Sequence, residues 1–175
     1  MEILNIEIKA KCHQHDEVRQ LLKQAGADFK GIDFQVDTYF KVQTGRLKLR
    51  EGNIEQNLIY YFREDINGPK SSKVLLYKTK PDSFLKEILT RSLGILVIVD
   101  KKREIYFIEN VKFHLDEVKS LGTFIEIEAI DSDGTIGKQK LREQCEFYLK
   151  EFNIKNSNLI ALSYSDMLNH PQWNE

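Results

Sequence analysis

Apolar and charged residues alternate along much of this chain, in short segments rich in Ile, Val, Tyr and Phe. An alternation with a period of two is typical of a β-strand that has one buried and one polar face. The pattern predicts strands at residues 3–11, 34–42, 46–51, 58–63, 73–80, 96–104, 105–109, 112–116 and 123–130.

Helical spacing appears in only a few places, at residues 16–25, 83–93, 135–152 and 163–168. Gly26 and Gly94 stand where glycine commonly ends a helix, and Asp82 can cap the second helix. Eight or nine strands with a few helices indicate an α+β fold whose antiparallel sheet is large enough to close on itself. The chain has no Ser/Gly-rich linker, so we expect one domain over residues 1–168 and a tail at 169–175.

The polar positions of the predicted strands carry charges that are sorted by sign. Residues two apart in a strand share a face. In the first strand the shared face holds Asn5, Glu7, Lys9 and Lys11, and in the last strand it holds Glu126 and Glu128. Strands between them present mostly cations, among them Arg46, Lys48, Arg50, Lys101 and Arg103.

Two interpretations of this charged face are open. In one, the sheet has a wet outer face and its charges are simply solvated. In the other, the charged face points inward and lines a wet tunnel, because unpaired buried charges are too costly for a dry core. The sorting by sign favours the tunnel. Its many cations and few carboxylates suit a polyanion held together with Mg²⁺ or Mn²⁺, the phosphate oxygens being bound by Lys and Arg.

The overall composition excludes several other partners. Lys and Arg number 26 and Asp and Glu 27, so no global field attracts nucleic acid or an acidic membrane. No apolar run approaches the length that spans a bilayer, and the first residues lack the apolar core of a signal peptide. Cys12 and Cys145 form no metal-ligand pattern with the histidines. We therefore expect a cytoplasmic protein with reduced thiols.

Six separated segments, taken in order, form a recognisable pattern. They are N-I-E-I-K-A-K at 5–11, D-T-Y-F at 37–40, L-K-L-R-E at 47–51, V-D-K-K-R-E-I-Y at 99–106, L-G-T-F-I-E-I-E at 121–128 and S-Y-S-D-M-L at 163–168. This pattern resembles the CYTH superfamily, the triphosphate tunnel metalloenzymes, and is most similar to its class IV adenylate cyclase-like branch. The resemblance implies a closed antiparallel eight-stranded β-barrel, with helices packed on the outside and a triphosphate tunnel within.

The resemblance also implies roles for individual residues. Glu7, Glu126 and Glu128 match metal-binding carboxylates, and Lys9 matches a lysine that contacts phosphate or takes part in catalysis. The positions expected to bind phosphate are Lys11, Lys48, Arg50, Arg63, Lys78, Lys101 and Arg103. Asp116 resembles an acidic position near the tunnel wall, whereas His114 is expected to be structural.

Asn5 departs from the family's E-x-E-x-K motif, which here reads N-I-E-I-K at residues 5–9. Asparagine can offer a metal a neutral oxygen but no charge. We count Asn5 among the expected metal ligands, and the substitution leaves the metal affinity and the number of metals open.

The resemblance implies a metal-dependent enzyme that acts on ATP, tripolyphosphate or thiamine triphosphate. A class IV adenylate cyclase would convert ATP to cyclic AMP and pyrophosphate. An inorganic or organic triphosphatase would instead release phosphate. Asn5 also leaves open a non-catalytic module that binds a triphosphate or polyphosphate, and an unrelated ligand-binding barrel is the remaining alternative. The apolar final helix is compatible with a homodimer.

Overall fold

A computed structural model of the chain describes residues 2–63, 68–81 and 84–170. Within this part the strands are β1 (Glu2–Lys11), β2 (Asp28–Phe40), β3 (Arg46–Glu51), β4 (Gln56–Arg63), β5 (Lys70–Lys78), β6 (Ile95–Ile108), β7 (Val111–Val118) and β8 (Gly122–Asp131). The helices are α1 (His15–Gln24), α2 (Leu85–Leu93), α3 (Lys138–Glu151) and α4 (Tyr164–Asn169), with a 3₁₀ turn at Asn156–Asn158. Asp82, most of the predicted tail and the side chain of Arg63 lie outside the described part.

The strands close into one antiparallel barrel, in the order β1-β5-β4-β3-β2-β6-β7-β8. Strand β1 completes the circle, because it pairs with β5 on one side and with β8 on the other. In that register Glu7 lies opposite Lys70 on β5 and opposite Glu128 on β8. The predicted α+β fold with a closed eight-stranded barrel is confirmed.

Strand β6 corrects the prediction of two separate strands at 96–104 and 105–109. It runs without a break from Ile95 to Ile108, and its pairing with β7 continues in register through Glu104 and Ile105. Strand β2 begins at Asp28, six residues before the predicted start, and a bulge between Phe29 and Gly31 interrupts its pairing with β6. A bulge of this kind interrupts the alternation of apolar and polar residues by which a strand is recognised in the sequence.

The helices begin and end close to their predicted positions. Helix α1 is closed by Gly26, whose φ of +72° suits glycine, and the backbone N–H of Ala27 donates to the carbonyl oxygen of Leu22. Helix α4 opens with a capping box, in which the Ser163 hydroxyl accepts from the Asp166 N–H and the Asp166 carboxylate accepts from the Ser163 N–H. None of the helices in the described residues is long and apolar enough to cross a membrane.

The main hydrophobic core lies outside the barrel rather than within it. The outward faces of β1, β7 and β8 contribute buried Ile6, Ile8, Phe113, Ile125 and Ile127, and these pack against Val18, Leu22, Leu141, Cys145 and Phe152 of the α1 and α3 regions. A smaller cluster joins Phe124 to Tyr164 and Met167 of α4. Because the apolar face of these strands is buried under helices, the opposite, polar face points into the barrel.

Candidate functional site

The interior of the barrel is a cavity of about 200 Å³ whose wall carries most of the predicted site residues. Alternation along each strand places them there, since on β1, β7 and β8 the neighbours of the inward residues pack in the outer core, and on β6 the neighbours of Lys101 lie on the barrel surface. The charged side chains in the wall are Glu7, Lys9, Asp37, Lys48, Arg50, Glu55, Lys101, Arg103, Lys112, Glu126 and Glu128.

Asp37 on β2 is the centre of a cluster of cations. Its carboxylate accepts from Arg50 through two bonds of 2.9 Å, from Lys101 at 2.7 Å and from Lys48 at 3.1 Å. Burial alone would raise the pKa of Asp37, but the three positive charges hold it well below its ordinary value. Positive charge from two strands, β3 and β6, is thereby gathered around one carboxylate.

Lys101 is the most enclosed member of this cluster, with its side chain 1% exposed. Burial, together with the neighbouring cations and against the opposing charge of Asp37, lowers the pKa of Lys101 to about 7. Its amine therefore changes charge near neutral pH. Lys102, the next residue, points outward and pairs with Glu117 on the barrel surface.

Glu126 on β8 is surrounded by positively charged and hydrogen-bonding groups. One oxygen lies 3.2 Å from the Lys9 amine, and the other accepts from Arg103 at 2.7 Å and lies 3.1 Å from His114 Nδ1. Burial opposes ionisation, yet Arg103 and Lys9 hold the pKa of Glu126 well below its ordinary value. In this arrangement the negative charge of Glu126 is neutralised by Lys9 and Arg103, and Glu126 does not form part of the group of Glu7 and Glu128.

His114 is buried in the same wall. Burial and the nearby positive charge of Arg103 lower its pKa to about 4, although Glu126 opposes them, so the ring is neutral at neutral pH. Its Nδ1 can donate to the ionised Glu126, whereas the buried Nε2 has no hydrogen-bond partner in the described structure. The contact of Nδ1 with Glu126 is consistent with the structural role expected for His114. That role does not use Nε2.

Glu7, Glu128 and Asn5 form a second, more negative group. Glu7 and Glu128 lie opposite each other across β1 and β8, and the Asn5 amide nitrogen donates to Glu128. Burial raises the pKa of Glu128, and the charges of Glu7, Glu126 and Glu55 raise it further. The side-chain oxygen of Asn5 is buried without a hydrogen-bond partner in the described structure.

A divalent cation is the kind of group that these atoms fit. Hard metals prefer carboxylate and amide oxygens, and an unpaired buried amide oxygen beside two carboxylates supplies such a set. Among the described residues, however, no three His, Cys, Asp or Glu side chains come together to hold a metal. The structure brings Glu7, Glu128 and Asn5 together, whereas Glu126 pairs with Lys9 and Arg103. Metal binding by Glu7, Glu126, Glu128 and Asn5 stays a prediction.

Lys9 lies between the acidic and cationic groups. Its amine contacts Glu126 and sits 3.9 Å from the centre of the Tyr164 ring. A carboxylate and the face of an aromatic ring both favour a positively charged amine. Tyr164 is held in turn by a 2.7 Å hydrogen bond from its hydroxyl to Asp116, which also pairs with Arg103.

Not every predicted phosphate-binding residue reaches the cavity. Lys11 lies half-buried at the end of β1, and Lys78 is exposed at the end of β5, so neither belongs to the cavity wall. Lys48, Arg50, Lys101 and Arg103 are all in the wall. The role predicted for Arg63 stays a prediction, because its side chain lies outside the described part.

Sequence reasoning missed several residues of the wall, among them three charged residues and a buried tyrosine. Asp37, Glu55, Lys112 and Tyr164 all face the cavity. Glu55 accepts from Arg50 at 2.8 Å and from Lys112, and the Arg50 and Lys112 charges lower its pKa despite burial. The alternation of Lys112, His114 and Asp116 on β7 was a signal for Lys112, whereas Glu55 lies between strands, where alternation gives no information.

Comparison with known proteins identifies relatives along almost the whole chain. The family model described as "CYTH domain" matches residues 4–164. A protein from Methanocaldococcus jannaschii named "Putative adenylate cyclase MJ0240" is 29% identical over 182 aligned residues, covering 94% of this chain and 98% of that protein.

Solved structures with the same fold come from distant organisms. One from Vibrio parahaemolyticus, described as a "putative adenylate cyclase", is 19% identical with a TM-score of 0.77, covering 95% of this chain and 98% of that one. Another, from Hippeastrum, is described as "Putative adenylyl cyclase HpAC1" that "reveals a dominant triphophatase activity". It is 16% identical with a TM-score of 0.59 and covers 94% of this chain and 95% of that one.

Proposed function

The chain belongs to the CYTH domain family, and on this premise we propose that it is a metal-dependent enzyme that cleaves a phosphoanhydride bond of a triphosphate inside the barrel. One observation carries the proposal. A cationic wall made by Lys48, Arg50 and Lys101 faces the same cavity as the acidic group of Glu7, Glu128 and Asn5. The cationic wall suits the oxygens of a polyphosphate, and the acidic group suits a divalent metal that accompanies it.

The cationic wall would bind the phosphate oxygens directly. Arg50 presents a planar guanidinium that can hold two oxygens at once, whereas the two lysines act as point charges. Their positions are already fixed by Asp37. Little reorganisation is then needed when negative charge develops on the phosphates, which is the condition under which such groups stabilise a transition state most.

The acidic group would hold the metal through Glu7, Glu128 and the unpaired oxygen of Asn5. A bound Mg²⁺ or Mn²⁺ would supply positive charge that polarises the phosphoryl oxygens. Binding would also relieve the repulsion that raises the pKa of Glu128. Lys9, held by Glu126 and Tyr164, would serve as a cation against the phosphates rather than as a base.

Two reactions are compatible with this arrangement, cyclisation of ATP and hydrolysis of a triphosphate. A different relative supports each of them. In cyclisation, the ribose 3′-oxygen of ATP attacks the α-phosphorus, the α–β phosphoanhydride bond breaks, pyrophosphate leaves and the hydroxyl proton is released. The name of the Methanocaldococcus relative favours it. In hydrolysis, water attacks the terminal phosphorus, the last phosphoanhydride bond breaks, orthophosphate leaves and a proton is released. The activity named for the Hippeastrum protein favours this route.

Product analysis decides between them. Purified protein is incubated with ATP, tripolyphosphate or thiamine triphosphate, each with Mg²⁺ or Mn²⁺, and cyclic AMP, pyrophosphate and orthophosphate are followed together. Cyclic AMP with equal pyrophosphate establishes the cyclase, and orthophosphate without cyclic AMP establishes the triphosphatase. Metal-dependent binding with no product would make the chain a binding module, and neither binding nor turnover would refute the proposal.

The Glu128→Gln variant tests the acidic group within the same assay. Removing one of its two carboxylate charges should lower turnover at fixed metal by roughly 10²-fold or more, because the metal contribution is worth several kcal/mol. The required metal concentration should rise as well. Glu117→Gln on the outer face of β7 is the matched control, because Glu117 is 52% exposed and pairs with Lys102 on the barrel surface. Equal turnover in both variants would contradict the assignment.

The proposal also predicts a pH dependence through Lys101. Only the ammonium form binds phosphate, and the pKa of Lys101 is about 7 in the ligand-free protein. Binding above that pH must therefore take up a proton, and the dissociation constant should rise by up to about tenfold per pH unit. Calorimetry in buffers with different ionisation enthalpies measures the proton uptake.

Lys101→Arg is the control for this effect, because a guanidinium stays protonated throughout the range. The variant should lose the proton uptake while it still binds the triphosphate. Titration of the phosphates themselves is common to both proteins and cancels in the comparison. An unchanged pH profile in Lys101→Arg would show that another group is responsible.

A further inference from the structure

One sector of the cavity wall differs from the rest, because its side chains are aliphatic. It consists of Ile3 on β1, Ile59 on β4, Val74 and Leu76 on β5 and Ile130 on β8. We call these five residues the apolar sector. The pairing register makes it continuous, since Ile3 lies opposite Val74 and Leu76 lies opposite Ile59.

Ile59 is buried, at 7% exposure, but the other four residues of the apolar sector keep exposed surface and belong to neither buried cluster. Leu76 is 46% exposed, and Ile3, Val74 and Ile130 are half-buried. On β1 the other face packs in the outer core through Ile6 and Ile8, whereas on β5 the outer face is exposed at Leu75. Aliphatic surface that faces a polar cavity is less favourable than the same surface buried against apolar atoms. A ligand with an apolar part would recover that free energy.

A bare polyphosphate has nothing to contact in this sector. Along β5 the inward positions between Lys70 and Lys78 are Ser72, Val74 and Leu76. Lys70 itself is fully buried and donates to the backbone carbonyls of Ile160 and Ala161, so its amine is committed to the segment before α4. The cations that suit phosphate lie elsewhere, on β3, β6 and β7 and at Lys9 on β1.

The apolar sector begins where the cationic wall ends. Ile59 lies directly opposite Lys48 on β3, and Asn57, two residues earlier on β4, lies opposite Arg50. Asn57 and Ser72 add a side-chain amide and a hydroxyl at the edges of the sector. Ligand sites commonly combine such an apolar wall with a few polar groups that orient the bound molecule.

We propose that the apolar sector receives the organic group of an organic triphosphate, a flat and largely apolar ring whose polar edge meets Asn57 or Ser72. The inference rests on the proposed function, because the phosphates place the ring beside Lys48. Its consequence is selectivity. The chain should prefer ATP or thiamine triphosphate to inorganic tripolyphosphate, although the inorganic compound carries the greater negative charge.

The test measures dissociation constants of the full chain for ATP, thiamine triphosphate and tripolyphosphate, with Mg²⁺ present. At least one organic triphosphate should bind about tenfold more tightly than tripolyphosphate or better. The double variant Val74→Thr/Leu76→Gln keeps the side-chain sizes close while making the sector polar. It should lose most of that preference, at least about tenfold, while its affinity for tripolyphosphate stays the same.

Leu75→Gln is the matched control, because Leu75 lies between the two altered residues on the outer face and is 52% exposed. It should keep the preference. Where the double variant folds poorly, Leu76→Gln alone at the exposed end of the sector gives the same readout. Equal wild-type binding of organic and inorganic triphosphates, or equal losses for both in the variant, would overturn the inference and leave the proposed function standing. Failure of all three to bind would overturn both.

Discussion

Replacing Lys101 by methionine is expected to lower kcat/KM for the triphosphate roughly 10²–10³-fold, the usual effect of deleting one fixed donor to a developing anion. Lys101 is buried in the cationic wall and donates to Asp37 at 2.7 Å. Methionine fills a similar volume without a charge, and Arg50 and Lys48 still pair with Asp37. Steady-state kinetics below pH 7 measure the loss while the wild-type amine is protonated.

Lys102→Met provides the comparison within one strand. The two lysines are adjacent on β6 but point to opposite faces, and Lys102 pairs with Glu117 outside the barrel at 3.0 Å. Its replacement should change kcat/KM by no more than about twofold, as expected for a surface substitution away from the chemistry. Similar losses in both variants would mean that the barrel interior is not where the substrate binds.

Asp37→Asn is expected to destabilise the ligand-free protein by about 3–5 kcal/mol, because removing one partner of a buried ion pair leaves uncompensated charge behind. Here one carboxylate balances Lys48, Arg50 and Lys101 together. Urea unfolding measures the loss. Saturating tripolyphosphate should restore much of it, because the ligand supplies negative charge to the same cations and binds only the folded state.

Asp100→Asn tests whether the loss is specific to the interior. Asp100 lies on β6, the strand that pairs with β2, but it is 55% exposed and 3.8 Å from Lys119. Its replacement should change the free energy of unfolding by no more than about 0.5 kcal/mol, as is usual for an exposed pair. A large loss in Asp37→Asn that tripolyphosphate fails to reduce would show that these cations do not bind the phosphates.

The barrel and most of its wall could be predicted because the alternation of apolar and charged residues in a strand depends only on residues that are close in the sequence. Knowing that Ile6 and Ile8 are apolar is enough to place Glu7 and Lys9 on the other face, and the same holds for Glu126 beside Ile125. The helices over the outer face then determine which side is the interior. Residues at strand ends are less certain, and Lys11 and Lys78, both expected to bind phosphate, do not reach the wall.

The pairings within the wall could not be predicted, because they depend on register between strands that are distant in sequence. Arg103 and Lys9 reach Glu126 from β6 and β1, so a carboxylate expected to bind metal is occupied by cations. Glu55 reaches Arg50 and Lys112 from a connection, where no periodicity exists. The homodimer and the substrate both stay predictions.

The pairing of β1 with β8 has a consequence for how the protein folds. Asn5 and Glu128 are 123 residues apart in sequence, so the acidic group exists only after the two ends of the barrel have met. Closing so long a loop is entropically costly and slow. A ligand bound to residues of both strands would slow the separation of β1 from β8. Hydrogen exchange of the β1 and β8 amides should therefore report ligand occupancy more sensitively than exchange in β3 or β4.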